Sequence, residues 1–92
     1  MKVNTETLTR YLHRIRNHQG WIALNDVAEN LKIDRATSRR FTNMAMEWGL
    51  VERQQLEDQP TEVRATKKLM ALEPSGVRKV VDANSSSETP LL

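Results

Sequence analysis

Cysteine is absent from this 92-residue chain. Its absence excludes disulfide staples, thiolate zinc sites, iron–sulfur clusters and a cysteine nucleophile. No apolar run approaches the ~20 residues of a membrane span. The opening MKVNTETLTR has no apolar signal-peptide core. A cytoplasmic protein without membrane contact is the expectation. No Gly-rich phosphate loop occurs, and no Ser/His pair finds a third partner, so no enzyme is expected. Aromatics are scarce: two Trp, one Tyr and one Phe. Trp21, Phe41 and Trp48 fall at a strand start and on a helix core face, which suits packing better than stacking on single-stranded bases. His13 and His18 are five apart, neither i+3 nor i+4, so neither a metal site nor a cofactor is expected.

A chain of this length supports one core and buries roughly 60–65% of its unfolded surface. The net charge of +2 says little, but its distribution says more. Residues 1–56 hold nine Lys/Arg against six Asp/Glu, and residues 57–92 hold five against six. The local excess is mostly Arg, which suits a phosphate-contacting face.

Leu8, Tyr11, Leu12 and Ile15 recur at helical spacing and predict a first helix from Thr5 to His18, capped by Asn4 or Thr5. Trp21–Leu24 reads as a short buried strand. Asn25 then caps a helix to Leu31. Ile33 plugs a tight turn, and Asp34 caps a third helix over Arg35–Trp48, closed by Gly49. On that helix Thr37, Phe41, Met44, Ala45 and Trp48 form the expected core face. Leu50–Leu56 and a strand beginning at Thr61 fold about the turn 57–60. The second strand could run to Leu72, with residues near Met70–Leu72 pairing with Ile22. Alternatively, Lys67–Leu72 forms a helical turn. Pro74–Ser75–Gly76 opens a last helix to about Ala83. The expected organisation is one domain over 1–84 and a disordered tail over 85–92.

The resulting fold class is α+β: mainly α with a small antiparallel sheet, in the order α-β-α-α-β-β-α. Over residues 21–53 the text WIALNDVAENLKIDRATSRRFTNMAMEWGLVER resembles a winged helix-turn-helix. It is similar to the DNA-binding core of small bacterial or phage regulators, including the MarR-type group. LNDVAENLKI resembles the first helix and turn, WGLVER the passage from recognition helix to wing, and LEPSG the segment closing the wing. The likeness covers roughly residues 5–83 and lacks the long flanking dimerisation helices of the larger MarR-type proteins.

The resemblance implies a double-stranded DNA-binding transcription regulator whose helix 35–48 lies in the major groove. Arg35, Ala36, Arg39 and Asn43 face outward as base readers, since Arg pairs with guanine and Asn with adenine. Thr37, Ser38, Arg40 and Thr42 flank them. Arg14, Arg16, Arg53, Arg64, Lys67 and Lys68 are candidates for phosphate contact. The hairpin tip, Glu57–Asp58, is acidic and repels DNA, which confines such contact to the stem. A homodimer is expected through the first and last helices, because Val77, Val80 and Val81 offer apolar surface. The alternatives are a protein-interaction adaptor, or an accessory factor in DNA replication or recombination.

Overall fold

A computed structural model describes residues 4–87. The first helix, α1 (Thr5–Arg16), starts where Asn4 Oδ1 accepts the Thr7 amide at 3.0 Å. Its apolar stripe of Leu8, Tyr11, Leu12 and Ile15 is fully buried. It ends two residues before His18. Strand β1 (Ile22–Ala23) runs straight into α2 (Leu24–Leu31). Asn25 therefore lies inside the first turn and caps nothing. The Leu24 amide is satisfied instead by Thr61 O at 2.9 Å, so the hairpin does part of the work of a cap.

Helix α3 (Arg35–Glu47) begins at Asp34, whose Oδ1 accepts the Thr37 amide at 2.9 Å. It ends in a Schellman motif. Gly49 sits at φ +75, its amide bonds Met46 O, and the Leu50 amide bonds Ala45 O.

Strands β2 (Val51–Gln54) and β3 (Glu62–Ala65) pair antiparallel, and the sheet order is β1-β3-β2. Ile22 pairs with Val63 rather than with residues near Met70–Leu72. The chain leaves the sheet at Thr66, whose hydroxyl accepts the Leu69 amide and starts α4 (Lys67–Ala71). The helical alternative for this stretch is the one realised. It adds one helix to the expected order without changing the α+β class.

Helix α5 (Pro74–Ser87) runs four residues past Ala83, so residues 85–87 are helical rather than an unstructured tail. The rest of the expected tail, 88–92, lies outside the described residues. α5 packs along α1, and Val77 and Val81 are fully buried. The apolar surface assigned to a dimer is therefore largely covered within the chain. One core joins the helices to the sheet, from Leu8 and Leu12 through Val27, Phe41 and Leu50 to Val63 and Leu69. None of the described helices is long and apolar enough to cross a membrane.

Candidate nucleic-acid interface

The roll of α3 decides which side chains meet solvent. Its buried residues are Ser38, Phe41, Thr42 and Ala45, with Met44 and Trp48 partly buried and Thr37 only half-buried. At 100° per residue this face is turned by about 65° from the one that apolar counting predicts. The turn buries two hydroxyl residues that were expected beside the DNA. Ser38 is 3% exposed and Thr42 is 0%. Thr42 Oγ1 donates to Ser38 O at 2.8 Å and Ser38 Oγ to Arg35 O at 3.1 Å, so both hydroxyl protons go to helix carbonyls. The four expected base readers, Arg35, Ala36, Arg39 and Asn43, are all exposed, as is Arg40.

Arg35 and Arg39 share a cleft of about 650 Å³ with Arg53 of β2. It lies between the first half of α3, the start of α2 and the hairpin. Asn25, Gln54 and Gln55 line it, Ser38 and Thr42 contribute to it, and among the described residues no carboxylate does. The hairpin register explains why Arg53 is there. Arg53 pairs with buried Val63, and alternation puts it on the sheet face that carries Val51 and Val63. Asn25, Gln54 and Gln55 had no sequence signal, because a cleft between distant segments leaves none in local spacing.

At the start of α3 the Thr37 side chain, and then its amide, hold the Asp34 carboxyl below its ordinary range. The Thr37 amide closes this cap, and the residue is half-buried.

Three of the expected phosphate ligands already hold partners within the chain. Arg16 donates Nε to Leu69 O at 3.3 Å and one terminal nitrogen to Leu72 O at 2.7 Å, closing the carboxyl end of α4. Lys68 Nζ donates to Trp48 O at 2.9 Å, at the carboxyl end of α3. Arg64 points to the opposite sheet face from Arg53. Its Nε lies 2.7 Å from Glu52 Oε1, and its guanidinium stacks 4.6 Å from the Trp21 ring centroid. Arg14 is half-buried and Lys67 exposed, and neither lines the cleft. His18 Nε2 meets Trp21 O at 3.2 Å. Among the described residues no three His, Asp or Glu side chains converge as a metal ion requires.

No family model and no curated protein matches the sequence. Solved structures do match in shape. MepR, a transcription regulator of the Staphylococcus aureus multidrug efflux pump MepA, aligns over 89% of this chain and 58% of its own, with 13% identity and a TM-score of 0.65. A MarR-family transcriptional regulator from Silicibacter pomeroyi aligns over 92% and 53%, with 14% identity and a TM-score of 0.63. A ZitR variant from Lactococcus lactis aligns over 91% and 53%, with 20% identity and a TM-score of 0.62. The chain thus spans little more than half the length of each. With its three-stranded sheet, its helix pair α2–α3 and its hairpin, the chain has a winged helix-turn-helix fold like that of the MarR-type regulators.

Proposed function

We propose that this protein binds double-stranded DNA as a transcription regulator, with α3 in the major groove and Arg53 on the adjoining backbone. One observation carries the reading: Arg35, Arg39 and Arg53 converge on a cleft that no carboxylate among the described residues lines, beside the exposed Asn43. Three cations so placed attract a polyanion. The flat guanidinium of Arg39 and the carboxamide of Asn43 each match one base edge bidentately. The fold it shares with MarR-type regulators supports the same reading.

Selection of bound duplexes from a random pool, followed by titration, tests it. The selected duplex binds wild-type protein more tightly than a random one, and Arg39→Ala removes about 1–3 kcal/mol of that preference. Equal loss on selected and random duplexes would falsify base reading by Arg39. The selected sequences also report stoichiometry, because two copies on one site select half-sites about one helical turn apart.

A further inference from the structure

A polar thread runs beneath α3. Tyr11, buried in the middle of α1, reaches Thr42 Oγ1 with its hydroxyl. Thr42 has one hydroxyl proton, and that proton goes to Ser38 O at 2.8 Å. Tyr11 must therefore be the donor and Thr42 the acceptor. Burial pushes the Tyr11 phenol well above its ordinary range, which keeps the proton in place. The Tyr11 ring also meets Phe41 edge-on, with centroids 5.7 Å apart.

The two contacts differ in kind. Ring packing is non-directional and tolerates a small roll of α3, whereas a hydrogen bond to one oxygen does not. The stretch Arg35–Arg40 offers no apolar side chain to the core ahead of Phe41, since Ala36 is exposed and Ser38 is the buried residue. Ahead of Phe41 the bonds of Asp34 and Ser38 stay within α3 and its cap, so the Tyr11–Thr42 bond is the directional tie that sets this helix against α1. A side-chain atom about 6 Å from the axis moves about 1 Å for about 10° of roll. Recognition contacts need placement within about 0.5 Å.

We propose that Tyr11 is a positioning residue: its hydroxyl, donating to Thr42, sets the roll of α3 and so the aim of Arg35, Arg39 and Asn43. The proposal rests on the DNA reading for its consequence, but the roll itself is measurable without DNA. Tyr11→Phe keeps the ring and removes the donor. Thr42→Val keeps the shape and removes the acceptor, and Thr42→Ser keeps the acceptor. Each is compared with wild type in two ways. The first is the affinity ratio between a selected and a random duplex. The second is the set of amide residual dipolar couplings of residues 35–47 relative to α1 in the free protein.

Tyr11→Phe lowers the ratio about fivefold, the weight of one net buried hydrogen bond, and changes random-duplex affinity by less than about twofold. Thr42→Val does the same, the double variant is no worse than either single one, and Thr42→Ser restores the ratio. The couplings of α3 then fit a rolled helix in Tyr11→Phe and Thr42→Val. Unchanged couplings in a folded Tyr11→Phe protein overturn the proposal, as does equal loss on both duplexes. If wild-type protein binds selected and random duplexes alike, the DNA reading has failed, and the couplings still decide whether Tyr11 sets the roll.

Discussion

Arg53 and Arg64 lie on paired strands of one hairpin, yet the sheet sends them to opposite faces. Replacing each with Gln therefore isolates the cleft from the wing's overall charge. Arg53 stands with Arg35 and Arg39 in a cleft that no described carboxylate lines, so under the proposed function it should displace a condensed cation on a duplex. Arg64 is already matched by Glu52 at 2.7 Å. Each phosphate neutralised contributes about 0.9 to the slope of log affinity against log salt. Arg53→Gln should flatten that slope by about 0.9, so its loss of affinity is about 3.5-fold larger at about 50 mM salt than at about 200 mM. Arg64→Gln should leave the slope within about 0.3 of wild type, since the exposed Glu52 it frees sits on the far face and is screened within about 10 Å. Fluorescence anisotropy on a short duplex across a salt series reads both slopes. If the two variants flatten the slope equally, the hairpin acts only through its total charge, and the cleft has no special part in binding.

Arg16→Met should lower stability by about 1–3 kcal/mol in denaturant titrations, because it uncaps α4, while leaving the salt slope of DNA binding unchanged. A flattened slope would return Arg16 to the phosphate ligands. Val81→Ala opens a hole between α1 and α5 and should cost about 2 kcal/mol at every protein concentration. A melting temperature that depends on concentration would instead mean that Val81 lies in a subunit contact. Stability should also fall at alkaline pH through Tyr11. Its folded pKa is raised, so the unfolded chain ionises first, near 10.0, and the contribution present below that pH is lost as pH rises further. Tyr11 is the only tyrosine in the chain. Tyrosinate absorbance therefore tracks it directly, and an equal alkaline decline in Tyr11→Phe would refute the assignment.

Much of the winged helix was legible because local rules govern it. Asn4 and Asp34 cap as their positions require, Gly49 takes the left-handed turn, and Leu8–Ile15 bury as their spacing says. Legibility failed where a distant segment supplies the partner. Asn25 is a good cap by type, but Thr61, 37 positions beyond Leu24, already satisfies the Leu24 amide. Apolar counting misplaces the roll of α3 because Ser38 and Thr42 count as surface residues in any apolar pattern. They are buried because a helix carbonyl, and for Thr42 the phenol of Tyr11, complete their bonding. Arg16, Arg64 and Lys68 look like phosphate ligands in sequence, since nothing in their spacing reveals the carbonyls and carboxylate that they meet.

The hairpin is also stiff in one part and yielding in another. From Val51–Ala65 to Gln54–Glu62 its strands are laddered together, and β1 braces the far side at Val63. Past Gln54 no ladder pair continues, and the tip holds itself by a turn in which the Gln59 amide bonds Leu56 O. Arg53 thus rides on the braced portion, while Glu57 and Asp58 ride on the unbraced one. A bend at residue 55 or at residues 58–60 breaks no rung and leaves the bond from the Leu24 amide to Thr61 O intact, so in the proposed DNA complex the negatively charged loop can swing clear of the phosphates while the guanidinium behind it stays where the strands hold it.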